Sequence, residues 1–290
     1  MLTFRHRTAM IAVAATALTL PGFGTVPAGA VARQAAPAAG TAVSSASHPE
    51  GGTIRSSRDL ERPAAFDLVT TQVRRHGRHL VFSERVRGRA GSRTPDPHGA
   101  FAGSEVLSYV WPVSLDPSAV GFEHGSGVLA LAATSHPDFD DTPLHDEDGD
   151  GRTDDDGGLW HAHWVVLVPD TTRPDGALKI RDIADGEHPR LPGTWPKVPL
   201  FLDSPGYRTT TGGRTVRVRV PLADLGFPAT FRFDGVTAAL RVNADLHDPL
   251  LRVENVFDVA SGDLSLPGRF RYADPDGEGG RHDRAGGDRR

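Results

Sequence analysis

The chain has 290 residues, a formal net charge of −5 and no cysteine, which excludes disulfides, thiolate nucleophiles and cysteine-ligated zinc. Its two methionines, Met1 and Met10, lie in the N-terminal apolar segment, so the rest of the chain can form neither a methionine-ligated haem nor a blue-copper site with an axial methionine. Positive charge is almost all arginine, with lysine only at Lys179 and Lys197; the arginines are scattered among carboxylates, so no nucleic-acid partner is expected.

The N-terminus carries Arg5, His6 and Arg7, then the apolar run "TAMIAVAATALTL" and small residues near Ala30. This order predicts a secretory signal peptide over residues 1–32, hence an extracellular protein. The run is shorter than the roughly 20 apolar residues of a spanning helix, and no later segment reaches that length, so no transmembrane segment is expected. Residues 33–57, rich in Ala, Pro, Gly and Ser, predict a flexible leader, and the charged, glycine-rich residues 274–290 predict a disordered tail. A single domain over residues 58–273 remains.

Within it, β-branched and aromatic segments alternate with Gly, Pro and Asp turns: "FDLVTTQVRR", "RHLVFSERVRG", "SEVLSYVWPVSL", "GVLALAATS", "LWHAHWVVLV", "ALKIRDI", "RTVRVRVPL", "ATFRFDG", "VTAALRVNAD" and "RVENVFDV" among them. "HGRH" is a hairpin-sized connection between the first two. Over residues 214–222, Val216, Val218, Val220 and Leu222 share one face, while Arg217 and Arg219 take the other. No amphipathic helical pattern longer than about two turns occurs, so the expected fold is all-β, an antiparallel β-sandwich of about ten or more strands.

The stretch "RTVRVRVPLADLGFPATFRFDGVTAALRVNAD" resembles DOMON-type and family-9 carbohydrate-binding-like sandwiches. In these a strand enters a Pro-Leu-x-x-Leu-Gly turn, here Pro221, Leu222, Leu225 and Gly226, and the chain returns as two more strands. The hairpin "FDLVTTQVRRHGRHLVFSERVRG" is similar to their first. The resemblance covers about a quarter of the chain and implies a sandwich that binds sugar or haem; with no methionine ligand, a haem here would need two histidines.

Between the strands near Thr134 and Leu159 lies an acidic connection that includes "HDEDGDGRTDDDGG". Asp146, Asp148, Asp150 and Gly151 reproduce the opening of an EF-hand-type calcium loop of the dockerin or thrombospondin kind. Arg152 would offer its carbonyl and Asp154 falls at the ninth position. The twelfth position is Gly157 instead of glutamate, leaving Asp155, Asp156 or a carboxylate from elsewhere in the chain to complete the shell. The flanks read as strand and coil, so the expectation is a calcium-stapled loop; a solvated acidic turn without an ion is the alternative.

On the following strand, residues two apart share a face, so His161 and His163 point together with Val165 and Leu167. Such a pair can chelate zinc or copper(II), with a third ligand from His136, His145, His188 or His247, or it can simply hydrogen-bond its neighbours. Tyr109 and Trp111 share a face with Leu107 and Val113 and are assigned to the core. Trp195 and Tyr207, in a proline-rich connection, are the candidate sugar platform. No nucleophile elbow, H-E-x-x-H helix or phosphate loop is present, and nothing singles out Glu84, Glu105 or Glu254 as catalytic acids.

The leading expectation is a secreted, non-catalytic, calcium-stabilised sandwich that binds an extracellular ligand, with polysaccharide a candidate. The alternatives are a zinc- or copper-dependent protein or enzyme using the histidine pair, and a structural cell-envelope component.

Overall fold

A computed structural model describes residues 52–139, 146–147, 149–173, 177–243 and 250–272. The chain divides into two compact units, Met1–Ser47 and His48–Arg290, and every described residue belongs to the second. The signal peptide, most of the leader, His145, Asp148, His247 and the tail lie outside the described residues.

In chain order the strands are β1 (Thr53–Arg55), β2 (Leu68–His76), β3 (His79–Val86), β4 (His98–Gly99), β5 (Glu105–Pro112), β6 (Val128–Ser135), β7 (Asp138–Phe139) and β8 (His161–Pro169). They continue with β9 (Leu178–Ile180), β10 (Leu202–Asp203), β11 (Thr209–Gly212), β12 (Thr215–Pro221), β13 (Thr230–Phe233), β14 (Val236–Val242), β15 (Leu251–Val259) and β16 (Gly268–Arg271). Two short 3₁₀ turns are the only helical elements among the described residues. The fold is all-β, and its pairings are antiparallel except for β4 with β7.

Of the two larger sheets, the first has the order β1-β2-β3-β12-β11 and the second β10-β8-β6-β5-β14-β15-β9, while β13 with β16 and β4 with β7 form separate two-stranded sheets. In the second sheet β9 also pairs with β8, which closes six strands into a barrel-like ring. On its other side β9 meets β15 through one residue pair, Lys179 opposite Arg252.

Two apolar layers follow from this arrangement. Leu80, Phe82, Val216 and Val218 of the first sheet pack on Leu107, Tyr109, Trp111, Trp164 and Val166 of the second. Val106, Ala130, Val165, Ile180, Val236, Leu240 and Leu251 fill the inner side of the curled sheet. Strands β5, β6 and β8 are therefore buried on both faces, which is why they read as continuous apolar runs, whereas β12 faces a core on one side only and alternates.

The His76–His79 hairpin turns at Gly77 with φ 62°, a backbone region that suits glycine. Strand β12 runs into a 3₁₀ turn, Leu222–Leu225, capped by Gly226. Strand β1 lies within the residues expected to form the leader: Ile54, 8% exposed, enters the core and the strand pairs with β2. Three residues beside glycines and serines carry too little pattern to reveal a strand.

One core position is occupied by a carboxyl. Glu84 lies in phase with Leu80, Phe82 and Val86, is fully buried, and has no hydrogen-bond partner for either carboxyl oxygen. Burial, with smaller contributions from Asp234 and Asp258, holds its pKa well above the ordinary carboxyl value, and the nearby Val236 amide offsets only part of this. The folded state thus keeps a proton that the unfolded chain gives up above about pH 4.3. Stability is complete below that pH and falls as pH rises towards the folded pKa. Glu84→Gln cannot ionise, so its stability relative to wild type should grow between pH 5 and pH 8, by at most about 1.4 kcal/mol per pH unit. Urea midpoints at the two pH values measure this, and an equal difference at both would show that Glu84 is not the source.

Candidate metal centre

The site grows from the register of β6 and β8. Thr134 lies opposite His161 and Ala132 opposite His163, so these side chains share one face; His136, two residues beyond Thr134, continues in phase past the end of β6. The small side chain at Ala132 leaves room above His163. On the other edge of β8, β10 pairs Asp203 with Trp164, which brings Ser204 alongside His163.

The fourth group comes from the acidic connection. Glu147 turns towards the imidazoles, and its backbone amide is held by the Asp156 carboxylate at 2.9 Å. Asp156 is 2% exposed, so one buried carboxylate ties the two ends of the loop together. Gly157 explains the missing glutamate at the twelfth loop position: a Cβ there would stand 1.9 Å from the Pro97 carbonyl oxygen.

Ligand atoms of His136, Glu147, His161 and His163 all lie within 4.8 Å of one another. The Nε2 atoms of His136 and His161 are 3.0 Å apart, and the Glu147 oxygens lie 4.0 Å from His136 Nε2 and 3.8 Å from His161 Nε2. Donors about 2.0–2.1 Å from one tetrahedral ion would be separated by about 3.3 Å, so seating a cation would draw Glu147 in by roughly half an ångström or more and close the most widely spaced donors, up to 4.8 Å apart, by up to about 1.5 Å.

Two of the tautomers follow from hydrogen bonding. His136 Nδ1 is 2.8 Å from the Pro137 carbonyl, which can only accept, so that nitrogen carries the hydrogen and Nε2 presents its lone pair. His163 Nδ1 faces the Asp203 carbonyl at 3.3 Å and Ser204 Oγ at 3.1 Å, so the hydrogen sits on Nδ1 and Nε2 carries the lone pair. The Ser204 hydroxyl also reaches Glu147 Oε2 at 3.4 Å and orients both ligands. Phe139 stacks on the His136 ring at 5.0 Å.

The surroundings favour added positive charge. Burial, reinforced by Asp156, Asp138 and Asp146, pushes the Glu147 carboxyl up to about 8. Asp138 Oδ2 is buried beside it without a hydrogen-bond partner. Burial also lowers the pKa of His136, which keeps that imidazole neutral, the form that ligates a metal.

Among the described residues this is the grouping of three or more ligand-type side chains able to hold a metal ion. Of the four histidines considered as third ligand, His136 is in place and exposed His188 is not part of the group; His145 and His247 lie outside the described residues. Glu147 was not among the ligands expected from the sequence, where it stands between the alternating aspartates. Its position out of phase with Asp146 and Asp148 was the available signal.

The proposed calcium ligands behave differently. Asp146 accepts the Gly149, Asp150 and Gly151 amides, and Asp150 accepts the Arg152 amide. The Arg152 side chain pairs with Asp155 at 3.1 Å and Asp154 at 3.7 Å, while Asp156 is turned inward to Glu147. The platform candidates are both half-buried and engaged. The Trp195 indole donates to the Val198 and Leu200 carbonyls, and the Tyr207 hydroxyl accepts from Trp164 and donates to Asp224. Tyr109 and Trp111 are fully buried, as expected.

Because Ser204 contacts both a histidine and Glu147, Ser204→Ala should weaken metal binding by about 10–100-fold, the usual effect of removing such a supporting group. A competition titration against a chromophoric chelator measures it, and unchanged affinity would remove Ser204 from the site.

Fold and site together define an all-β, antiparallel sandwich with a His/Glu cluster that could hold a metal ion. No family model, curated protein or solved structure matches the chain.

Proposed function

We propose that the protein is an exported metal-binding protein that holds one zinc or copper(II) ion through His136, Glu147, His161 and His163. The supporting observation is the convergence of three imidazoles and one carboxylate within 4.8 Å. Three nitrogens and one oxygen suit a borderline ion and not calcium, which takes six to eight oxygens. Bound there, the cation would neutralise Glu147 and draw β6, β8 and the acidic loop together. The test is elemental analysis and calorimetry on the full chain after chelation and dialysis. One equivalent of zinc or copper(II) is expected, and an absence of stoichiometric binding of either overturns the proposal.

A second ion, calcium, is supported by the local shape of the acidic loop. Gly149 and Gly151 take φ 77° and 93°, and the chain wraps Asp146 so that residues 149–151 all donate to it. Weak extracellular calcium sites have dissociation constants of about 10⁻⁴–10⁻³ M. Millimolar calcium should therefore raise the melting temperature of the chelated protein, and Asp150→Ala should abolish the rise. An unshifted wild-type melting curve would leave the loop without calcium.

A further inference from the structure

A cavity of about 480 Å³ lies against the metal cluster, within the usual size range of small-molecule sites. His136, Glu147 and His163 line one end of it, and His161 is not among its lining residues. The remaining wall is largely aliphatic and includes Val106, Leu202, Val242 and Leu251 from strands β5, β10, β14 and β15. A sugar placed there would bury hydroxyls against hydrocarbon, at a cost of roughly 1–3 kcal/mol for each one left unpaired. The cavity instead suits a molecule with an apolar body and one polar head.

Charge selects the head. A divalent ion with neutral imidazoles and the Glu147 carboxylate retains one positive charge. Lys197 lines the cavity as a second cation and counters in part the buried carboxylates of Asp138 and Asp156. A fifth donor approaching from the cavity would therefore be best matched by a monoanion with oxygen ligands.

We propose that this cavity binds an apolar monocarboxylate, its carboxylate ligating the metal and its hydrocarbon chain lying along Val106, Leu202, Val242 and Leu251. This rests on the metal-binding function proposed above. Each methylene moved from water into the aliphatic wall should tighten binding by about fourfold, until the cavity is full.

The experiment is calorimetry on the full chain, zinc-loaded and zinc-free, with the straight-chain acids from hexanoate to dodecanoate and with decanol. The expected result is saturable decanoate binding to the zinc-loaded protein, at least tenfold weaker to the zinc-free protein and to decanol, with affinity rising along the acid series and then levelling. Val198→Trp, which enlarges a half-buried residue of the cavity lining, should lower decanoate affinity at least tenfold at unchanged zinc stoichiometry. Zinc binding without decanoate binding overturns this inference alone. So does decanoate binding that is independent of zinc, of chain length or of Val198→Trp. Failure to bind zinc overturns this inference, and failure to bind either zinc or copper(II) overturns the metal proposal with it.

Discussion

Replacing His161 and His163 together by Gln should lower zinc or copper(II) affinity by well over about 100-fold. Losing a supporting group alone costs about 10–100-fold, and here two of the four donors are removed. Gln keeps a polar side chain of similar reach beside Thr134 and Ser204, so the strand should stay paired. Retention of β8 can be followed by circular dichroism and by the fluorescence of Trp164, which points to the opposite, inter-sheet face. Any calcium-dependent rise in melting temperature should survive, because Asp146 and Asp150 form their turn from neighbouring amides and not from the histidines. Metal affinity within tenfold of wild type would exclude the cluster as the site. Loss of the calcium effect in a folded variant would mean that loop and histidines serve a single ion.

Phe82→Ala should destabilise the domain by about 3–5 kcal/mol, a large share of the 5–15 kcal/mol that holds a typical domain folded. Phe82 is fully buried between the sheets. Its ring makes edge contacts with Trp111 at 6.1 Å and Trp164 at 6.2 Å, and stacks near Phe231 at 6.3 Å. These neighbours come from β5, β8 and β13, so truncation opens a cavity bordered by both sheets that no single side chain can refill. Chemical denaturation monitored by tryptophan fluorescence measures the loss. A change below about 1 kcal/mol would mean that the layers repack, contrary to the close packing expected of such a core.

Legibility in the sequence followed the length of each element and the number of its buried faces. Val216, Val218, Val220 and Leu222 announced β12 because one face alone is buried, and Leu107, Tyr109, Trp111 and Val113 were placed correctly in the core. Closure of the second sheet was not legible, since β9 contributes three residues and its pairing with β15 depends on a partner more than 70 positions away. In the site, the spacing of His161 and His163 was sufficient to place them on one face, because strand periodicity is local. His136 was one of four candidates until the Thr134–His161 register selected it. Glu147 depends on the path of a loop pinned by Asp156 and Gly157, and loop paths are set by distant packing, here the Pro97 carbonyl.

The ring of six strands is uneven in strength around its circumference. Between β15 and β9 it is closed by the single Lys179–Arg252 pair, and between β9 and β8 by three pairs from Leu167 to Pro169, whereas β6 and β8 share seven. Opening free energies within a native protein range from near zero up to that of global unfolding, and thinly paired segments occupy the low end. The seam at residues 178–180 should therefore open first, its amides exchanging with solvent before those of β5 and β6. Such an opening would part the wall lined by Val165 and Ile180 without requiring the better-paired strands β6 and β8 to separate.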